Sequence, residues 1–323
     1  FYRLRAVNAS GNSSYATANG TTTAPAGIIL TSASLFGAAG AGVNIVDEFA
    51  YTDADGTSIP DGAGTPYKDN TVSSNNPLLV DKTVSLTGRT GSMKGLKKCQ
   101  IQGSDVTKSA QIYISWFQRW DVDLDSAVIF TTNARSDKVL RVWDNEQTGN
   151  TRISWTKQHM TYEDPLGSSP NWSNGVTNGG KVDVFQRFEI FAEKGVGFQT
   201  YVDGVARTAT TDYGDNFPAD GQYAEMFGYD MSNTAHIQSG QTFTTNIAEL
   251  VALDGHARVE FSNTAAWGAS GAFKRYRQTN TSWSASSINI GTPFYSDLNQ
   301  GAGLLYAHIV LSDGSVIDYG AIN

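Results

Sequence analysis

Residues 181–205 read KVDVFQRFEIFAEKGVGFQTYVDGV and contain two apolar runs, 186–191 and 198–202. In both runs the side chains alternate with a period of two, which is the pattern of a strand with one buried face. Lys194-Gly195 and Val196-Gly197, between the runs, predict a tight reversal that makes the two runs a hairpin. Asp203 and Gly204 follow the second run and predict a further hairpin turn because both residue types tolerate positive φ. We therefore expect this hairpin to lie at the centre of a β-sandwich.

The composition predicts an all-β protein with an acidic surface. The chain has 323 residues, of which 33 are glycine and only 4 are methionine, as expected for many strands joined by turns. The net charge is -8, so a phosphate backbone is repelled on average and nucleic acid is not an expected partner. No apolar stretch approaches the roughly 20 residues that span a bilayer, so no membrane span is expected.

The single cysteine, Cys99, excludes an intrachain disulfide. An extracellular protein without disulfides is more typical of a bacterial or phage product than of an animal secreted protein. Cys99 lies in the strand-like run KGLKKCQI, where a buried, unreactive thiol is the expected state.

Further runs with a period of two lie at 112–119, 138–143, 152–157 and 244–253, and residues 159–180 are expected to form a polar loop. The strand 113–119, the RVW run at 141–143, Phe188-Glu189-Ile190 and the hairpin 201–204 together resemble the concanavalin A-like (laminin-G-like) jelly-roll. That sandwich is shared by lectins, pentraxins and many glycan-active enzymes. The resemblance implies one jelly-roll domain over residues 43–254.

Both ends of the chain resemble parts of other extracellular modules. The N-terminal run FYRLRAVNASGNSSY resembles the end of a fibronectin type III domain, with matches at Tyr2, Leu4, Ala6, Asn8, Gly11 and Ser13. We assign residues 1–16 to that remnant and 17–42 to a linker. A lone hairpin is not stable in water, so we expect the chain to be a C-terminal fragment of a longer polypeptide.

Residues 255–323, with the hairpin run LLYAHIVLSDGSVIDYG, resemble an immunoglobulin-like cap. The predicted fold class is thus a concanavalin A-like jelly-roll sandwich with a small C-terminal immunoglobulin-like β-sandwich and an N-terminal fibronectin type III remnant.

The resemblance implies that the concave sheet of the jelly-roll holds a saccharide or catalyses a reaction on it. The alternation assigns aromatic, guanidinium, amide and carboxylate side chains to its solvent face, together with Tyr113 and Arg187. Aromatic rings stack on sugars and the polar groups bond to hydroxyls. The candidate glycan-binding residues are Trp143, Tyr201, Arg141, Arg119, Phe117, Gln199 and Glu189. The alternative is that they form ordinary cross-strand pairs on a wet sheet face.

No complete catalytic motif is found. A glycoside hydrolase needs two carboxylates about 5 to 10 Å apart, and the nearest acidic ladder, Asp121, Asp123 and Asp125, fits a solvated strand edge or a Ca²⁺ site. A polysaccharide lyase would use Arg119, Gln199 and Tyr201, with His159 reaching in from its loop, but the lyase signatures of the family are absent. We therefore expect a protein that is not an enzyme, and we keep a lyase or hydrolase as the alternative.

One loop resembles half of a calcium-binding loop. The run TDADGTSIPDG offers Asp53, Asp55 and Asp61 around Gly56, and oxygen ligands on such a turn suit Ca²⁺. The alternative is an ordinary Asp-Gly turn. The four histidines are scattered and show no zinc-ligand spacing.

These features predict a structural or adhesive surface protein that is extracellular or lies on a virion. A phage tail fibre, a capsid appendage and a bacterial adhesin are the expected contexts, with glycan binding as an additional activity. The expected partners are a cell-surface or extracellular polysaccharide, other proteins of the same assembly and further copies of the chain. No cofactor is expected apart from the Ca²⁺ considered above.

Overall fold

The computed structural model of the chain describes residues 2–4, 7–8, 11–12, 16–18, 27–32, 35–37, 43–47, 51–62, 65, 67–70, 76–86, 89–95, 99–103, 111–122, 136–143, 151–156, 159–163, 182–193, 197–210, 223–229, 238–241, 243–268, 275–291 and 305–322. Every regular element in these residues is a β-strand, which confirms the all-β fold class for this part of the chain. None of the same residues forms a helix that is long and apolar enough to cross a membrane.

The strands, in chain order, are β1 (Tyr2–Leu4), β2 (Val7–Asn8), β3 (Gly11–Asn12), β4 (Ala16–Ala18), β5 (Ile28–Thr31), β6 (Val43–Asp47), β7 (Tyr67–Asp69), β8 (Leu79–Asp81), β9 (Ser92–Gly95), β10 (Cys99–Gly103), β11 (Gln111–Trp120), β12 (Ser136–Trp143), β13 (Thr151–Thr156), β14 (His159–Glu163), β15 (Gln186–Glu193), β16 (Gly197–Val202), β17 (Val205–Thr210), β18 (Tyr223–Tyr229), β19 (Thr245–Leu253), β20 (Arg258–Ser262), β21 (Arg275–Gln278), β22 (Asn280–Trp283), β23 (Ser287–Ile290), β24 (Tyr306–Val310) and β25 (Val316–Ala321).

The hairpin predicted from residues 181–205 is confirmed. Strand β15 pairs antiparallel with β16, and Phe188 lies opposite Val202 in the register. The turn that follows β16 has positive φ at both predicted residues, 49° at Asp203 and 74° at Gly204. Positive φ at both central residues is the geometry that matches a two-residue turn to the twist of its strands.

Two antiparallel sheets form the large sandwich. The first has six strands in the order β14-β13-β12-β18-β10-β7, and the second runs β17-β16-β15-β11-β19-β9-β8, with β6 as a further strand paired to β19. Side chains from both sheets share one core, in which Cys99 and Ile101 of β10 join Trp116 of β11 and Phe188 of β15. Cys99 is fully buried, as expected. Residues 159–163 were expected in a loop, but they form β14, which pairs with β13 at the edge of the six-stranded sheet.

A second, smaller sandwich contains the C-terminal strands. Its sheets are β21-β20-β24-β25 and β22-β23-β5, and Phe261, Ile288 and Ile309 are fully buried between them. The membership of β5 corrects the predicted linker, because residues 28–31 pair with β23 more than 250 positions further along the chain. The backbones of the two segments come very close at Gly27, where a Cβ would lie 2.7 Å from the carbonyl oxygen of Ile290. The absence of a side chain at this position therefore permits the pairing.

The large sandwich is therefore inserted between the first and second strands of the small one. The chain enters through β5, builds the large sandwich over residues 43–253, and returns to the small sandwich at β20. The two ends of the insertion lie side by side, because β6 pairs with β19 and Val43 is opposite Leu253. Neighbouring termini are the condition under which a host domain tolerates an inserted one.

The N-terminal segment contains two short strand pairs, β1 with β4 and β2 with β3. Ala6 and Ser13, two of the matches to a fibronectin type III domain, lie outside the described residues. The fibronectin, immunoglobulin-like and concanavalin A-like assignments stay predictions.

Because β5 completes the small sandwich, truncating its core side chain must weaken that sandwich. Leu30 is 1% exposed, whereas its neighbour Ile29 is 61% exposed. Leu30→Ala is expected to lower the free energy of unfolding by about 2 to 5 kcal/mol, the usual cost of such a core truncation. The matched control Ile29→Ala is expected to change it by about 0.5 kcal/mol at most. Urea unfolding followed by tryptophan fluorescence measures both, and equal effects would contradict the insertion.

Candidate functional site

The residues predicted to bind a glycan do not lie on one sheet. Phe117 and Arg119 are on β11, Glu189 is on β15, and Gln199 and Tyr201 are on β16, all in the eight-stranded sheet. By contrast, β12 carries the other two predicted residues, Arg141 and Trp143, in the six-stranded sheet. The expectation that all seven share one face is therefore wrong, because periodicity within a strand does not specify which sheet the strand joins.

The predicted solvent face of the eight-stranded sheet is also largely covered. Tyr113 and Glu189 are fully buried, and Arg187 is 4% exposed. Phe117 is 7% exposed and stacks on Tyr276 of β21, with ring centroids 5.3 Å apart. The predicted solvent exposure of these four side chains is wrong because the four-stranded sheet of the small sandwich packs on this face.

The contact between the two sandwiches is ionic. Arg187 and Glu189 of β15 meet Arg258 and Glu260 of β20 and Arg275 of β21, and we call these five residues the ionic seam. Each of their side chains is at most 4% exposed. Burying charges is costly unless they are paired and hydrogen-bonded, so each sheet requires the charges of the other.

Within the seam each carboxylate is held by guanidinium groups from both sandwiches. Glu260 accepts hydrogen bonds from Nη1 of Arg187 at 2.9 Å and from Nε of Arg258 at 2.5 Å. Glu189 accepts one from Nη2 of Arg275 at 3.1 Å and lies 3.3 Å from Nη2 of Arg187. Charge-assisted bonds of this kind are short and depend on geometry, so they fix the relative orientation of the two sheets.

Aromatic rings complete the seam. The hydroxyl of Tyr113 donates to Glu189 at 2.9 Å and accepts from Nη2 of Arg187 at 2.8 Å. The guanidinium of Arg258 lies 3.8 Å from the centroid of the Tyr113 ring, and that of Arg275 lies 3.6 Å from the Trp267 ring. Cation–π contacts of this kind are more favourable when the cation is buried, as both guanidinium groups are here.

The carboxylate of Glu260 is held in the charged form. Burial acts to raise the pKa of Glu260, but the charges of Arg187, Arg258 and Arg275 outweigh it and hold that pKa well below its ordinary value of 4.5. Burial raises the pKa of Tyr113 above its ordinary range. Neither group is therefore prepared to exchange a proton near neutral pH, and the seam has the properties of a structural contact.

His256 lies where the chain passes from β19 to β20. Its ring stacks on Phe191 with centroids 4.6 Å apart, and its Nε2 lies 3.7 Å from a carboxylate oxygen of Glu193. Burial lowers the pKa of His256 below its ordinary value of 6.5, and the charge of Arg258 acts in the same direction, while Glu193 and Asp313 oppose the shift. The imidazole is thus favoured in its neutral form at the junction of the two sandwiches.

The other predicted residues of the eight-stranded sheet are only partly exposed. Arg119 pairs with Asp183 and donates to Oδ1 of Asn246 at 3.4 Å. Gln199 donates to the carbonyl oxygen of Thr200 at 2.9 Å. Burial and the neighbouring Glu189 raise the pKa of Tyr201. The predicted lyase set is divided, since His159 lies on β14 in the other sheet.

The acidic residues considered as calcium ligands are not brought together. The backbone N–H of Lys82 donates to Asp55 at 2.7 Å, and that of Asn70 donates to Asp61 at 2.7 Å. In the described part of the chain no group of three or more such side chains that would hold a metal ion is found, and Asp53 joins none. In the other acidic ladder, Asp121 accepts from the N–H of Thr244 at 2.8 Å, while Asp123 and Asp125 lie outside the described residues.

The seam residues of the small sandwich were missed by sequence reasoning. Arg258 and Glu260 alternate on β20 in the run RVEFS, and Arg275 begins RYRQ on β21. The sequence signal for these residues is the alternation of charges along one face of each strand. That signal alone does not predict burial, because a charged strand face is usually solvated.

Comparison with known proteins adds little to this geometry. No protein-family model and no curated protein matches the sequence. Among solved structures, a cellulose induced protein is 17% identical, with a TM-score of 0.43 over 64% of this chain and 96% of that one. Alginate lyase AlyC3 is 11% identical, with a TM-score of 0.38 over 50% and 74% of the two chains. A protein described with endo-acting O-glycanases that initiate mucin breakdown is 9% identical, with a TM-score of 0.44 over 66% and 99%. With TM-scores this low, these likenesses carry no argument about activity.

The seam predicts a large cost for removing one of its charges. Glu260→Gln leaves guanidinium groups buried without their carboxylate, and it is expected to lower the free energy of unfolding by about 3 to 5 kcal/mol. The control Asp183→Asn makes the same chemical change in the pair with Arg119, where the Asp183 side chain is 59% exposed. That change is expected to cost about 1 kcal/mol at most. Urea unfolding measures both, and similar values for the two variants would show that the seam does not couple the sandwiches.

The lowered pKa of His256 predicts a dependence of stability on pH. The unfolded chain takes up a proton on this residue near pH 6.5, whereas the folded chain takes it up only at lower pH. The contribution of His256 to the free energy of unfolding is therefore fully present above about pH 6.5, and it is lost as the pH falls through the lower pKa of the folded chain. In His256→Phe, which keeps a ring against Phe191, the decline in unfolding free energy between about pH 7 and pH 5 is expected to be shallower. Urea titrations at a series of pH values test this, and parallel profiles would contradict it.

Proposed function

We propose that this chain is a non-enzymatic structural and adhesive surface protein, extracellular or on a virion, with glycan binding as an additional activity. The observation that carries the proposal is the ionic seam. A sheet face that would otherwise offer guanidinium, carboxylate and phenol groups to a ligand instead joins two sandwiches into one unit. A tail fibre, a capsid appendage or an adhesin requires such a fixed arrangement of modules.

The chemistry of the seam supports a structural role over catalysis. A general acid or base must reach its substrate and hold a pKa near the working pH. Glu189 and Glu260 are fully buried and bonded to arginines, and the pKa of Glu260 lies well below its ordinary value. Neither carboxylate is therefore accessible to a polysaccharide, and Glu260 is not prepared to donate a proton to one.

We assign the proposed glycan surface to the six-stranded sheet. Its register pairs Trp143 with Tyr223 and Arg141 with Arg152, so aromatic and guanidinium residue types occupy adjacent positions on β12, β13 and β18. Residues directly opposite each other across antiparallel strands share a face of the sheet. Rings that stack on sugars next to donors for hydroxyl or carboxylate groups suit a cell-surface or extracellular polysaccharide. Other proteins of the same assembly and further copies of the chain remain the proposed protein partners.

A glycan array screened with residues 27–323 tests the binding activity. Trp143→Ala is expected to weaken binding about three- to tenfold, because an aromatic contact contributes about 1 kcal/mol beyond its buried area. Arg141→Ala is expected to weaken binding to acidic glycans more than to neutral ones. Tyr201→Phe, on the other sheet, is the matched control and is expected to leave affinity unchanged. If binding were lost in Tyr201→Phe and kept in the other two variants, the glycan-binding surface would have to be assigned to the eight-stranded sheet.

The same protein separates a binding module from an enzyme. Incubation with the polysaccharide it binds, followed by absorbance of unsaturated uronates and a reducing-end assay, is expected to give no product above that from boiled protein. Product formed at a rate that depends on protein concentration would replace this proposal with a polysaccharide lyase or a glycoside hydrolase.

A further inference from the structure

A largely buried polar group lies on β8, β9 and β19, on the same face of the eight-stranded sheet as Arg119. Asp81 is on β8, Lys94 on β9 and Asn246 on β19, and we call these residues the Lys94 triad. Lys94 is directly opposite Asn246 in the register of β9 and β19, so their Cβ atoms are about 5 Å apart. Three neighbouring strands thus bring an amine, a carboxamide and a carboxylate together.

Both nitrogens of the Lys94 triad contact the same carboxylate oxygen. Nδ2 of Asn246 donates to Oδ2 of Asp81 at 3.0 Å and to the hydroxyl of Ser92 at 2.9 Å. Nζ of Lys94 lies 3.8 Å from that Oδ2. Asp81 and Asn246 are 2% and 1% exposed, and the side chain of Lys94 is 36% exposed. The carboxamide is therefore held in place by Asp81 and Ser92, and the partly exposed amine lies near the same carboxylate oxygen.

The carbonyl oxygen of Asn246 faces a positive charge. Nη1 of Arg119 donates to Oδ1 of Asn246 at 3.4 Å. A cationic donor aimed at a carbonyl oxygen stabilises the negative charge that develops there when a nucleophile adds to the carbon. Arg119 is thus an electrophilic partner for this carboxamide, a different role from the glycan contact expected from the sequence.

We propose that Lys94 and Asn246 become joined by an intramolecular amide bond, with Asp81 as the proton carrier. Asp81 accepts one proton from the Lys94 ammonium, and the freed Nζ lone pair attacks Cγ of Asn246 to form a C–N bond. Collapse of the tetrahedral intermediate breaks the bond between Cγ and Nδ2. Asp81 gives its proton to Nδ2, which leaves as ammonia, and Nζ releases a second proton to solvent. Atoms and charges balance without any oxidant or cofactor.

Asp81 is charged and lies beside the Lys94 ammonium. Burial acts to raise its pKa, but hydrogen bonds from Thr83 and Asn246 and the charge of Lys94 outweigh burial, so the pKa lies below its ordinary value of 3.8. The carboxylate is therefore ionised at neutral pH and attracts the ammonium, and as a weak base it holds the transferred proton only until Nδ2 accepts it. Its other oxygen, Oδ1, is fixed by the N–H of Thr83 at 2.8 Å and by the Thr83 hydroxyl at 2.6 Å.

Such a bond would serve a chain with one cysteine. No intrachain disulfide can form, and an amide between β9 and β19 closes a loop that contains most of the large sandwich. A covalent closure of a long loop restricts the unfolded state strongly. Unlike a disulfide, an amide is not lost under reducing conditions.

Intact mass spectrometry of the folded protein, residues 27–323, tests the proposal. The wild type is expected to be lighter than its sequence mass by one ammonia, about 17 Da. Lys94→Arg keeps the positive charge but cannot form the bond, and Asp81→Asn removes the proton carrier, so both are expected to have their full sequence mass. Circular dichroism before each measurement shows that the variants are folded.

A peptide map excludes the main alternative source of the same mass change. Succinimide formation at Asn174-Gly175 or Asn178-Gly179 also releases ammonia, but it would persist in Lys94→Arg. The cross-link instead predicts a branched tryptic peptide in which residues 90–97 stay uncut after Lys94 and are joined to the peptide that carries Asn246. A full sequence mass for the wild type, or an equal loss in Lys94→Arg, would overturn the proposal.

Discussion

The burial of charge between the two sandwiches is the constraint on which the rest of the structure depends. Arg187 and Glu189 lie on a sheet face that is sealed from water, and each needs an opposite charge that its own sheet does not fully supply. Arg258, Glu260 and Arg275 provide those charges from the small sandwich. An ion pair of this kind adds little stability compared with an apolar contact, yet it tolerates no change of partner or register. The seam therefore specifies one relative orientation of the two sandwiches.

The insertion of one sandwich into the other makes that orientation easier to reach. Both ends of the large sandwich lie on paired strands, β6 and β19, and the chain passes directly from β19 through His256 to β20. Arg258 and Glu260, the first charged residues of β20, thus follow within a few residues of the end of β19, which belongs to the sheet that they cover. In physical terms, a short connection raises the effective concentration of the two faces for each other, so the contact forms without a large loss of chain entropy.

Local patterns predicted the strands well and their surroundings poorly. Alternation identified β11, β15, β16 and β19, and the turn at Asp203 and Gly204 followed from the conformational freedom of two residue types. Alternation also assigned Arg187 and Glu189 correctly to one face of β15 and Phe188 to the other. It cannot show whether a sheet face is in water or is covered by another domain. The pairing of β5 with β23 had no local signal, because it joins segments more than 250 residues apart. Sheet membership, and with it the separation of Trp143 from Tyr201, depends on such distant contacts.

The discontinuous small sandwich also has a mechanical consequence. Tension applied to the segments that flank it enters at β5 and leaves at β25, and both strands belong to the same small body. The N–H of Thr31 on β5 donates to the hydroxyl of Tyr319 on β25 at 3.1 Å, and Phe36, a few residues after β5, contacts the Tyr319 ring. The large sandwich is inserted between β5 and β20, so a force carried by the contacts between β5 and β25 does not pass through it. The small sandwich alone would then be stretched.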